Sequence, residues 1–398
     1  MYERSPHKVT EFAGPVDEFL AHACLVYGGD TPDRLARAQA LLSADPEIAK
    51  ANIFTMAVLS DAEGVAAALA VDPGLASRQR GPFDWEPLLY LTYSRLPGGD
   101  PVAAARLLLD AGADPNAGYL WEGNCPPFTA LTGVFGEGED AVNRPRHHAE
   151  LPLARLLLDR GADPNDGQTL YNRMFGADDG HLRLLFEFGL GTGDGGPWRT
   201  RVPRQASPAE MLHDVLLWAA AHDQRARVEL LLAHGVPPEA PFRGHPLHEG
   251  RSAHDLAVRS GNREIAALLE AAGAVPTRLD EVDQVVADAM AGLPVHAPPS
   301  VVAQAIARDP YAVVRAAELG KGDAARILVG AGFDVNAAEC ETALHQAAFA
   351  GNLDLVRLLL DLGADQSIMD TSFGSTPLGW AEHNRRDQVA AFLRSDQP

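Results

Sequence analysis

Lysine is almost missing from this chain: its 33 basic residues include only Lys8, Lys50 and Lys321, against 54 acidic residues. The resulting net charge of −21 repels a phosphate backbone or an anionic bilayer and favours a basic partner, most strongly at low salt. Nucleic acid and membrane surfaces are therefore not expected partners. Cysteine is scarce too. Cys24, Cys125 and Cys340 lie far apart with no CxxC pair, which excludes a disulfide framework and points to a reducing cytoplasm. No run of about 18 apolar residues occurs, and the first thirty residues mix charge and proline where an export signal needs an unbroken apolar stretch. A soluble protein that stays in the cytoplasm is expected. Because arginine carries nearly all the positive charge, the composition fits a GC-rich bacterial genome.

Catalytic signatures are missing as well. There is no G-x-S-x-G elbow, no H-E-x-x-H and no G-x-x-x-x-G-K-[ST] phosphate loop. The glycine-rich run Gly191 to Gly196 lacks a lysine and follows a helix where a phosphate cradle precedes one, so it reads as a turn with Trp198 packing back. His245 and His248 with His254, and His147-His148 with Glu150 or His181, lack the i, i+4 spacing of a helical zinc pair. No metal, cofactor or catalytic residue is expected, and the protein reads as a binder rather than an enzyme.

What is present is repetition. An apolar triplet, a polar step, a glycine and an Asp/Pro/Asn turn recur down the chain, best at Leu107 to Asn116 and Leu156 to Asn165. The triplet belongs to an amphipathic helix; Gly112 and Gly161 supply the left-handed residue that ends it. Further copies end at Gly189, Gly235, Gly273, Gly332 and Gly363. Ahead of the last stands Thr342-Ala-Leu-His-Gln-Ala-Ala-Phe-Ala-Gly-Asn352, and weaker heads open at Ser252 and Thr376. A helix with small residues such as Ala347 and Ala348 lets a leucine-striped partner approach. Neither helix buries its face alone, so neighbours must stack.

The head T-x-L-H-x-A-A-x-x-G-N resembles the ankyrin repeat. The expected fold is all-α, an α-solenoid of stacked helix-turn-helix repeats with helical caps and an inserted loop. Residues 1–47 read as an N-terminal helical cap, 48–243 as divergent repeats with an insertion near 121–150, and 244–398 as repeats that include the C-terminal cap. Residues 240–251 form a soft boundary. From Gly273 to Gly332 the interval is 59 residues, long enough for an extra helix pair, read at Glu281 to Ala291 and Val301 to Arg308.

The resemblance implies a monomer that holds a protein partner along its concave face, by the turns and the outward side of each first helix. By register, the binding positions are Arg259 with Glu249, Arg251 and Ser260; Glu339, Glu341 and Phe349; and Phe373, His383 and Asn384. His345 belongs to the head and is expected to hydrogen-bond neighbouring loop backbone. The first half departs from the pattern. Trp85, Tyr93 and Arg95 add aromatic and cationic groups to a first helix, with Tyr90 beside them. Tyr171 and Arg173 sit in another, and Arg173 falls on the slot that Ala347 fills. A buried unpaired charge costs several kcal/mol, about 3 or more, so Arg173 needs a partner among Glu137, Glu139, Asp166, Asp178 and Asp179. These residues, with Glu137 and His147 of the insertion, define an alternative: an enzyme or small-molecule site in the first half, in which losing Arg173 leaves the fold intact.

Overall fold

The computed structural model describes residues 3–240 and 250–395. It is an all-α repeat solenoid with three short strands among the described residues. The chain divides into two compact units, Met1–Val215 and Leu216–Pro398. Most of the soft boundary expected at 240–251 lies outside the described residues.

In the first unit the helices Pro15–Ala23 and Pro32–Ala44 pack against each other ahead of the repeats. Four helix pairs follow: Ile53–Val58 with Ala62–Val71, Pro87–Tyr93 with Pro101–Asp110, Ala130–Phe135 with Glu150–Asp159, and Gly167–Met174 with Gly180–Glu187. First helices stack on first helices and second on second, so every apolar stripe is covered by the next repeat. Local sequence sets the boundaries. Asp100 accepts from Ala103 N at 2.9 Å ahead of Pro101, and Gly112 and Gly161 take φ of +97° and +94° where the helices end.

The recurring Asp-x-Asn tail has a specific role. Asp114 Oδ1 accepts from Asn116 N within its own turn (2.8 Å), while Asn116 donates to Gly161 O (2.9 Å) and accepts from Asp163 N (2.8 Å) in the next repeat. Asn165 repeats the step by accepting from Gly191 N, and Asn336 by bonding Gly363 O and Asp365 N. Each asparagine therefore satisfies both backbone polarities of the neighbouring turn, which a hydrophobic residue leaves open.

The long first-half interval is not a single insertion. It contains its repeat's own first helix, Ala130–Phe135, opened by a Thr129–Thr132 capping box, with an excursion on either side. The earlier one forms strands Gly118–Trp121 and Phe128–Thr129, antiparallel to each other, with Glu3–Arg4 added in parallel as an edge. The later one is the loop at 136–149.

In the second unit, the helices Ala253–Arg259 and Arg263–Ala271 form a pair, as do Ala312–Glu318 with Gly322–Gly330, Ala343–Ala350 with Leu353–Asp361, and Pro377–His383 with Asp387–Ser395. The extra pair is present as Glu281–Met290 and Pro299–Arg308. It breaks the alternation, because Glu281–Met290 packs both on Pro299–Arg308 and on the second helix Gly322–Gly330. Val285, Ala289, Ala316, Leu328, Ala347, Leu359 and Leu393 belong to one continuous core.

Candidate binding surfaces

The first-half aromatics are core. Trp85 and Tyr93 are 0% exposed, and Trp85 touches the rings of Phe83, Tyr90, Tyr93 and Tyr119. Tyr93 donates to Thr129 O at 2.9 Å, and burial pushes its phenol well above the usual range. Neither side chain offers surface to a partner. Arg95 spends its guanidinium on backbone carbonyls: Pro145 O and Gly133 O at 2.6 Å, Ser94 O at 2.7 Å and Thr92 O at 3.2 Å. It ties the 136–149 loop to two first helices.

Arg173 lies 1% exposed, and three carboxylates surround it. Its Nε is 3.0 Å from Glu137, its Nη1 donates to Glu150 at 2.5 Å, and its Nη2 to Asp178 at 3.1 Å. Arg146 bridges the same three acids at 2.6, 3.3 and 2.5 Å respectively. A hydrogen bond from Gly180 N, helped by both arginines, holds the Asp178 carboxyl below the usual range despite some burial. Of the acids expected to face Arg173, Glu137 and Asp178 do so. Glu150, at the start of the next helix, is the unforeseen third. Glu139 instead accepts from Tyr171 Oη at 2.5 Å, and Asp166 accepts from Thr129 and Thr132 Oγ1 and from Thr169 N. His147 is buried, with Nδ1 accepting from Ala149 N at 3.1 Å; burial, then Arg95 and His148, push it down to about 3. Arg95, Glu137, His147, Tyr171 and Arg173 thus share one neighbourhood in which they anchor the loop.

The second-half candidates do not converge to the same degree. Arg259 pairs with Asp255 and Asp283 at 2.9 and 2.8 Å. Glu339 and His383 are exposed; Glu341 is half-buried and accepts from Gln346 at 2.9 Å. Phe349 packs edge-on against Trp380, whereas Asn384 is buried and donates to Phe349 O at 2.6 Å. His345 Nδ1 accepts from Thr342 N at 3.2 Å, which leaves the proton on Nε2 for donation to Ser375 O at 3.0 Å. His254 is likewise occupied, by Glu270 and Thr277 N. His245, His248 and Glu249 lie outside the described residues. Among the described residues no group of three or more His, Cys, Asp or Glu is arranged to hold a metal, and no helix is long and apolar enough to cross a membrane.

How the turn at 370–375 is locked is visible only in the fold. Asp370 accepts from Phe373 N (2.5 Å), Ser372 N (2.8 Å), Ser375 N (2.9 Å) and Trp380 Nε1 (2.9 Å). Burial opposes its ionisation, yet these donors hold the carboxyl at about 2. Phe373 stands 79% exposed at the tip of this turn, its ring 6.3 Å from that of Trp380, and Met369 is 55% exposed beside it. A large apolar side chain thus stands exposed on a constrained turn.

Comparison with known proteins finds that residues 313–397 match the family model for ankyrin repeats, in three copies. No curated protein matches the chain. The matched segment holds the Thr342 head, the Asn336 bridge and the Asp370 turn. Such repeats suggest a protein–protein interaction module, and residues 313–397 of this chain are ankyrin repeats.

Proposed function

We propose that the chain holds a basic protein partner through the turns and first helices of its last repeats, with Phe373 as the central apolar anchor and Phe349, Glu339, Glu341 and His383 around it. The carrying observation is Phe373, 79% exposed on a turn that Asp370 holds with four hydrogen bonds. An exposed aromatic fixed before binding pays little ordering entropy, and aromatic residues dominate binding hot spots. The net charge of −21 supplies the steering towards a basic surface. Three unpaired cysteines support a cytoplasmic setting. The first-half residues are engaged with one another, which favours this reading over a small-molecule or catalytic site there.

Affinity capture from the native cell with the wild-type chain and with Phe373→Ala, each at low and high salt, tests the proposal. One basic protein retained by the wild type, lost with Phe373→Ala and weakened by salt is the expected result. Equal retention by both chains removes Phe373 from the interface, and indifference to salt removes the charge argument.

A further inference from the structure

The extra helix pair of the second unit creates a cavity of about 380 Å³, within the size range of small-molecule sites. Leu256, Val282, Val286, Ala305 and Leu319 give it an apolar wall, and Trp218 stacks on His222 at its edge with ring centroids 3.7 Å apart. Its lining carries Arg251, Arg259, Arg308 and Arg315 beside Asp283, Asp309 and Glu318, and Asp255 and Asp280, outside the lining, pair with Arg251, Arg259 and Arg308 as well.

The acids are already occupied. Asp283 is held by Arg259 at 2.8 Å and by Arg308 at 2.9 Å, Asp309 by Arg315 at 2.5 Å, and Glu318 lies 3.4 Å from His222 Nε2. The arginines are not exhausted. Arg308 uses only Nη1 and Arg259 only Nε and Nη2, so Nε and Nη2 of Arg308 and Nη1 of Arg259 have no acceptor among the described residues. Spare guanidinium donors beside an apolar wall suit a planar anion on a hydrophobic body. We propose that this cavity binds a small organic acid, its carboxylate on Arg308 and Arg259 and its ring or chain against Val282, Val286, Ala305 and Leu319.

Isothermal titration of the full chain with indole-3-acetate and hexanoate, compared with indole-3-acetamide, hexanamide and inorganic phosphate, tests this. At least one acid binds saturably, and its amide binds about tenfold or more weakly, the cost of one charge-assisted contact. Arg308→Gln reduces affinity for the acid by a similar factor with little effect on the amide. Leu319→Trp, which adds bulk to the apolar lining without changing a charge, abolishes both. The proposal is overturned by no saturable binding of either acid, by acid and amide binding equally, by phosphate binding as tightly as the acids, or by unchanged affinity in a folded Arg308→Gln chain.

Discussion

Replacing Arg173 with methionine separates an arginine that builds the first unit from one that serves a ligand. In the fold, two guanidiniums, Arg173 and Arg146, share three carboxylates, and Arg173 is the wholly buried member. Methionine fills much of the volume but leaves Arg146 alone against Glu137, Glu150 and Asp178. Breaking a buried pair from one side costs about 3–5 kcal/mol. Asp178 is 48% exposed and relaxes into water, so the lower end, about 3 kcal/mol, is expected. Because repeat arrays need not unfold in one step, the assay is native-state hydrogen exchange read on peptides spanning 130–187, with urea unfolding alongside. Protection there falls by about two orders of magnitude while peptides of 313–395 are unchanged. Adding Glu137→Gln and Glu150→Gln to Arg173→Met restores about half of the loss, since the uncompensated charge is then removed. A loss below about 1 kcal/mol refutes the reasoning and returns Arg173 to the ligand reading, in which its removal spares the fold.

Other consequences are equally open to measurement. His147 is held neutral down to about 3, whereas an unfolded histidine takes its proton near 6.5. The unfolded state therefore binds more protons between these values, and first-unit stability falls as pH drops through that window, by up to about 1.4 kcal/mol per pH unit. His147→Gln flattens the slope of the urea midpoint against pH. A Cβ at Gly133 would lie 2.4 Å from the buried Tyr93 ring, so Gly133→Ala destabilises the first unit by about 2 kcal/mol or more in the same unfolding assay. Asp370→Ala removes four acceptor contacts from the turn, and amide exchange at residues 371–376 accelerates more than tenfold without global unfolding.

How much of this was legible in the sequence depends on how local each cause is. The helix ends could be read because a left-handed residue must follow them, and Gly273, Gly332 and Gly363 indeed take φ near +100°. The extra pair at 281–308 followed from the spacing of those glycines alone. The need for a partner at Arg173 was also visible, because a charge on an alanine slot conflicts with packing. Which partner was not: Glu150 reaches it only once the 136–149 loop has turned back, held by Arg95 on the Pro145 carbonyl. The strand at Glu3–Arg4 escaped notice because its reason is the edge at Gly118–Trp121, more than a hundred residues away. The aromatics of 83–93 read as binding candidates in sequence; Tyr119 and Phe128, brought in by the hairpin, close over them and make them core.

The central claim is that the constrained turn at 370–375 is where a partner is held. Its most direct measurement is the dissociation constant of the captured partner for the wild-type chain and for Phe373→Ala. A hot-spot anchor contributes about 2 kcal/mol or more, so the variant is expected to bind roughly thirtyfold more weakly or worse. An unchanged dissociation constant would contradict the account.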